Sequence, residues 1–351
     1  MIINHLENLE QKNVLPDNDP TASSRKRDHI ELAFKSQVTQ TDSRFFYEPL
    51  FAAHPEEGSL KPFLFLDKTC KVPLWVSSMT GGTEMARIIN RNLARACGAY
   101  GFGMGLGSCR QLLHSDEYFE DFNVRPLMGF DVPLFTNLGI AQLELLIERN
   151  ELYLIDKMVD KLQADGLIIH VNPMQEWLQP EGDRFKVPPI ETITTVLNHA
   201  KYPIIVKEVG QGFGYHSLKT LFQMPLAAVD FAAAGGTSFS KLELLRGSDA
   251  RMDAYAGTAN LGHTALEMVD FTNQIIVELG DKMRCKQVIV SGGVKDFLDG
   301  FYLTKKLNTP SIYGQASSFL KHAQGDYGDL ESYIESQIRG LELAEAYLKV
   351  R

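Results

Sequence analysis

Eight short apolar runs recur from Pro73 onward, and each ends in or is followed by small or polar residues. They are Leu74–Ser77, Phe102–Leu106, Leu134–Asn137, Leu167–His170, Ile204–Lys207, Ala227–Phe231, Gln287–Ser291 and Ser311–Gly314. Such runs predict strands buried on both faces, the kind found in parallel sheets. Helical patterns lie between them, at Glu84–Cys97, Leu143–Leu162, Ile190–Ala200 and Thr264–Leu279. Strands alternating with helices of this length imply parallel βα units. Eight units over roughly 250 residues are what a (β/α)8 barrel requires. A doubly wound sheet is the structural alternative, but it rarely needs eight strands this evenly spaced. The expected fold is therefore α/β, a (β/α)8 TIM barrel.

The rest of the chain is read around that barrel. Residues 1 to about 22 are polar and suggest a loosely held arm. Ser24 is placed to cap a short helix with Ile30, Ala33 and Phe34 on one face. Residues 40 to 66 are rich in Phe and Pro and read as a lid or short hairpin over one end of the core. Asp329 to Lys349 reads as one terminal helix. The expected division is an arm and lid over 1–66, a barrel over 67–326, and a helix over 327–351 that packs on the barrel.

The net charge of −9 argues against a general nucleic-acid or membrane surface, though a local basic pocket remains compatible with it. The cysteines Cys70, Cys97, Cys109 and Cys285 form no CxxC pair and no zinc spacing. A reduced, cytoplasmic protein is expected. The polar N-terminus lacks an apolar signal-peptide core, and no apolar run is long enough to span a bilayer.

In such barrels the working face lies at the carboxyl ends of the strands. There the sequence delivers Ser77 to Gly82, Gly107 to Arg110, Asn137, then His170, Asn172, Gln175 and Glu176. Lys207 and Glu208, Gly235 to Thr237, Gly292-Gly293 and Ala316-Ser317 follow. Turn chemistry asks for Gly and Asn, but not for Lys, His, Gln and Glu. The glycines have two readings: relief of tight turns, or close approach of a flat or anionic ligand. Glycines at 101, 103, 105 and 107 strip one face of a strand and suggest that something rests against it. Gly292-Gly293 and Ala316-Ser317 fall where these barrels often bind phosphate. Burying the Lys207 ammonium is costly unless it is paired. It serves either as a Schiff-base nucleophile or as a fixed positive charge beside an anionic cofactor. Glu176 is either a helix N-terminal acid or a hard Mg²⁺ ligand.

Taken in order, the motifs resemble one family. They are Arg25-Lys26 followed by His29, Ser78-Met79-Thr80-Gly81-Gly82, Gly107-Ser108-Cys109-Arg110 and His170-Val-Asn172-Pro-Met-Gln175-Glu176. Lys207-Glu208-Val209-Gly210, Gly235-Gly236-Thr237 and Ser291-Gly292-Gly293 continue the series. Together they resemble type 2 isopentenyl-diphosphate isomerase, the flavin-dependent form, from about Ser24 to Ala323.

The resemblance implies FMN across the barrel mouth. Ser78, Met79, Thr80, Ser108, Asn137, Lys207 and Thr237 match the flavin-ring region. Gly293, Val294, Lys295, Ala316 and Ser317 match the FMN-phosphate segment. Arg25, Lys26, Ser108, Cys109, Arg110, His170, Asn172 and Gln175 match the substrate positions, and Glu176 matches the Mg²⁺ ligand. Gln175 and Lys207 are the catalytic candidates, with NADPH or another donor reducing the flavin. Glu243 and Arg246 match an acidic and basic pair of the family. A homo-oligomer built from dimers, up to an octamer, is implied. The chain departs at Lys295, where the family usually carries Arg; Lys faces a phosphate as a point charge without the bidentate fork. The competing expectation is an FMN oxidoreductase of the hydroxy-acid-oxidase kind, for which His263 is the only candidate base. A Schiff-base lyase using Lys207 and a catalytically silent FMN carrier complete the alternatives.

Overall fold

Each of the eight apolar runs forms a strand in the computed structural model, which describes residues 21–351. The strands are Leu74–Val76, Gly103–Gly105, Leu134–Gly139, Gly166–His170, Ile204–Lys207, Ala228–Asp230, Val288–Ser291 and Ser311–Gln315. They pair in parallel in chain order, and the eighth closes on the first through Tyr313 and Leu74. Side chains alternate across each strand. Trp75, Phe135, Ile168, Ile205, Ala228, Ile289 and Ile312 form one cluster inside the ring. Residues such as Leu74, Val76, Leu134, Leu167, Ile169, Val206 and Val290 belong to the larger cluster shared with the surrounding helices.

The hairpin expected near residue 66 exists, but at the end opposite the polar strand ends. Phe63–Phe65 and Lys68–Cys70 pair antiparallel around Leu66 and Asp67, both with positive φ. Phe65, Leu66 and Cys70 join the interior cluster. Gln287, just ahead of the seventh strand, accepts a hydrogen bond from the Leu66 amide at 2.9 Å. The hairpin is thus a floor at the amino ends of the strands. Arg125 is buried beside it and donates to the carbonyls of Gln163, Gly129 and Val132. It also pairs with Asp165 at 2.9 Å, and Asp165 reaches Lys68 of the hairpin at 2.7 Å.

The helices follow the sequence patterns with one correction. Leu143–Leu162 is not one helix but two, Ile140–Glu148 and Tyr153–Lys161. The break falls at Asn150, whose φ of 56° is left-handed. Ala265–Leu279 carries a full capping box from Thr264 and Glu267. The terminal helix Tyr327–Tyr347 is capped by Asp326 and packs against Phe297–Lys306, where Gly340 lies flush on the Phe297 ring.

The chain divides into two units at Arg44 and Phe45. In the first, the described part contains the helix Ala22–Leu32. Its N-cap is Thr21, not Ser24, and the Ser24 hydroxyl donates back to the Thr21 carbonyl at 2.9 Å. The expected apolar face is not buried among the described residues: Ile30 and Phe34 are both exposed. The arm expected at residues 1–22 lies, apart from its last two residues, outside the described residues.

Candidate active site

On seven of the eight strands, the residue two beyond the apolar interior cluster also turns inward. Those positions are Ser77, Asn137, His170, Lys207, Asp230, Ser291 and Gly314. An apolar layer is therefore capped by a polar one at the carboxyl end of the ring. Above the fifth to eighth and first strands opens a cleft of about 210 Å³. It is lined by Ser77, Ser78 and Lys207, and by residues 235–237, 291–295 and 314–318.

The two Gly-Gly turns form one wall. Gly292 and Gly293 have φ of 87° and 72°, where side chains are strained. A Cβ on Gly292 would lie 2.1 Å from the Ala233 carbonyl oxygen, and one on Gly236 would lie 3.2 Å from the Gly293 amide nitrogen. These glycines serve close backbone approach at the cleft. The earlier glycines do not. The space beside Gly103 is filled by the Trp75 ring, that beside Gly105 by Ile168, and that beside Gly107 by the Thr80 backbone. Gly101 is the left-handed cap of the helix Glu84–Tyr100. The stripped strand face thus receives protein, not ligand.

Ser78, Lys207, Thr237, Gly293, Val294, Lys295, Ala316 and Ser317 all line the cleft. Met79, Thr80, Ser108 and Asn137 stand outside its lining, on the side of the first three strands. The hydroxyls of Ser77, Ser78 and Ser108 are buried without a hydrogen-bond partner among the described residues. Buried polar groups without partners are uncommon and mark places where a ligand can supply them.

Lys207 is buried, and its ammonium donates to the Glu208 carbonyl at 2.7 Å. Burial pushes its pKa down, while Asp230 and then Glu208 pull it up. The Glu208 carboxylate is committed to its own loop, accepting the amides of Val209, Gln211 and Gly212 at 2.6, 2.5 and 3.0 Å.

His170 and Asn137 form the next group. Asn137 donates through Nδ2 to the Leu106 carbonyl at 3.0 Å, so its Oδ1 accepts from His170 Nδ1 at 2.8 Å. The other ring nitrogen, Nε2, is left as an acceptor. Burial, then Lys207 and Arg110, push His170 down to about 3, so the imidazole is neutral.

Asn172 precedes the helix Pro173–Leu178 and donates to Gln175 Oε1 at 3.1 Å and Glu176 Oε1 at 3.0 Å. Gln175 Nε2 donates to Glu243 at 3.3 Å, and Glu243 pairs with Arg246 at 2.6 Å. The Gln175 amide is thus held from both ends. Glu176 also accepts the Asp183 amide at 2.8 Å. Among the described residues no three His, Cys, Asp or Glu side chains gather to hold a metal alone.

Two candidates from the sequence stand outside the cleft lining. The Cys109 side chain is fully buried in the main apolar cluster, donates to the Gly107 carbonyl at 3.3 Å, and is pushed up to about 12 by burial. His263 packs edge-on to Phe271 at 5.3 Å and does not line the cleft. Arg110 opens the turn Arg110–Leu113 and is exposed. Arg25 and Lys26 lie on the helix Ala22–Leu32, exposed within that unit. Ser77, Asp230 and Ser291 had no role assigned from sequence. The signal for Asp230 was there: a carboxylate at the end of an otherwise apolar run.

No family model matches the sequence. A curated isopentenyl-diphosphate delta-isomerase of Rickettsia africae is 33% identical over 326 residues, covering 91% of both chains. One from Rickettsia felis is 32% identical over 335 residues, covering 94% of this chain and 93% of the relative. The chain belongs to the isopentenyl-diphosphate delta-isomerase family, type 2. It is therefore an isomerase by family. Solved structures with the same fold include flavocytochrome b2 with pyruvate bound, at TM-score 0.60 and 16% identity, covering 86% of this chain and 72% of that one. A mandelate oxidase mutant with an FMN adduct has TM-score 0.53 and 12% identity, covering 94% of this chain and 99% of that one. No helix among the described residues is long and apolar enough to cross a membrane.

Proposed function

We propose that the protein interconverts isopentenyl and dimethylallyl diphosphate, with reduced FMN in the cleft and Mg²⁺ on the substrate diphosphate. The observation that carries this reading is the cleft, whose Gly-Gly wall and partnerless serine hydroxyls suit a flat, phosphorylated ligand. The reaction moves a double bond by one position, so one carbon gains a proton and another loses one. An alkene is a very weak base, so the proton carrier would be reduced FMN held in the cleft, with NADPH or another donor as reductant.

The residues divide the remaining work. Ser78, Lys207 and Thr237 would hold the ring; Gly293, Val294, Lys295, Ala316 and Ser317 would hold the phosphate. Lys207 supplies fixed positive charge beside the ring. Gln175 orients the substrate, because Asn172 and Glu243 fix which end of its amide is donor and which is acceptor. A diphosphate arriving beside His170 would draw a proton onto Nε2. Glu176 provides one carboxylate for Mg²⁺, and the diphosphate oxygens supply others, as Mg²⁺ sites commonly allow. Arg25, Lys26 and Arg110 provide cations that match diphosphate oxygens. A dimer-based oligomer in the cytoplasm completes the reading; light scattering tests the former.

An anaerobic assay tests the function. Isomerisation should appear only with reduced FMN and Mg²⁺ together, and turnover that survives flavin removal counts against it. Removing both arm cations, Arg25→Ala with Lys26→Ala, should raise KM at least about tenfold, as expected when charge-assisted contacts are lost. An unchanged KM would remove them from substrate binding.

A further inference from the structure

The polar layer beneath the cleft contains one charge that the proposed chemistry does not use. Asp230 has no solvent exposure, yet it ends the sixth strand directly beside Lys207 on the fifth. Their Cα positions are paired in register. Both side chains follow interior residues by two, Lys207 after Ile205 and Asp230 after Ala228, so both turn into the barrel. Ser291 does the same after Ile289, donates its hydroxyl to Asp230 Oδ1, and accepts the Ala232 amide at 2.9 Å. The second Asp230 oxygen, Oδ2, is buried without a hydrogen-bond partner among the described residues.

We propose that Asp230 is the positioning counter-ion of Lys207: it holds the ammonium charged in the floor of the cleft, and Ser291 holds Asp230. A buried cation needs an opposite charge to remain protonated. The other groups facing Lys207 do not provide one. Glu208 turns its carboxylate onto three amides of its own loop. His170, the register partner on the fourth strand, is a neutral imidazole, and Arg110 acts on it with positive sign. Lys295, lining the same cleft, is positive. Asp230 is the remaining carboxyl group in the same layer: burial pushes its pKa up, Lys207 and Ser291 pull it down, and its second oxygen is unused among the described residues. The pairing also explains why a carboxylate is kept in an otherwise apolar strand. The role in flavin chemistry rests on the FMN reading; the pairing itself does not.

The test is an NMR titration of the full chain labelled with ¹³C-lysine, without added flavin, following the Lys207 side-chain signal against pH. Asp230→Asn should lower the Lys207 midpoint by at least about one pH unit, the smallest shift expected when an adjacent opposite charge is removed. Ser291→Ala should move it the same way by less, because the carboxylate loses a donor and takes up a proton more readily. Asp230→Glu should restore much of the wild-type midpoint, which a purely space-filling role would not do. Should Asp230→Asn fail to fold, Ser291→Ala decides alone. Superimposable wild-type and variant curves overturn the proposal. A second arm repeats the titration as FMN affinity, read by flavin fluorescence quenching; its alkaline limb should follow the Lys207 midpoint. A wild-type chain that binds no FMN sinks the flavin reading, while the lysine titration still decides the counter-ion.

Discussion

Burial pushes the pKa of Lys207 down, with Asp230 and Glu208 opposing it, and burial pushes His170 down to about 3. Lys207 and His170 are register partners on neighbouring strands, and the Lys207 charge helps to hold the His170 pKa down. Lys207→Ala should lower isomerisation by roughly 100-fold or more, the scale seen when one preorganised electrostatic group is removed. Some flavin should stay bound, because the glycine wall and serine hydroxyls remain; kcat and flavin content measured together check this. Unchanged turnover would take Lys207 out of the mechanism. For His170 the sign follows from its depressed value of about 3. The unfolded imidazole, near 6.5, takes up its proton first as pH falls. Its contribution to stability is therefore complete above about pH 6.5 and is lost toward pH 3. Wild type should lose more stability than His170→Asn between pH 7 and 4, read from urea midpoints; parallel losses would contradict this. At this scale the sequence was legible where a polar side chain followed an apolar run, as at Asn137, His170 and Lys207. It was not legible at Cys109, because neighbours in a motif need not face the same way. Asp230 was passed over for the converse reason: its partner lies on another strand, and pairing across strands cannot be read from spacing.

Strands and turns give the site its shape through backbone contacts. The apolar runs marked all eight strands because parallel strands buried on both faces leave that trace. Glycines were harder. The late pairs, Gly235-Gly236 and Gly292-Gly293, meet backbone to backbone at the cleft, whereas Gly103 and Gly105 make room for Trp75 and Ile168. One sequence signal therefore covers two physical causes, and only the neighbours tell them apart. The helix break at Asn150 was hidden in the same way, since both halves share one apolar period. At the amino end, Arg125 ties three carbonyls and Asp165 into the floor. Arg125→Ala should cost about 3–5 kcal/mol, because Asp165 and the carbonyls lose their buried partner. Urea unfolding measures it; a loss below 1 kcal/mol would show that Lys68 alone secures Asp165.

Across the whole molecule, the barrel separates two jobs along its axis. The amino end is closed by the Phe65 and Leu66 hairpin and an apolar layer, and the carboxyl end is opened by a polar layer under a cleft. The fold could be read from sequence because the strand rhythm is strong; the closure could not, because a hairpin fits either end of a ring. The relationship of the arm cations to substrate is a matter for kinetics. The central claim is that this one cleft seats a flavin. The most direct measurement is the visible absorption spectrum of the purified full chain, before and after adding FMN and removing the excess. The expected result is a yellow protein with bound flavin bands, in a ratio approaching one flavin per chain. A colourless protein that cannot be reconstituted would contradict it.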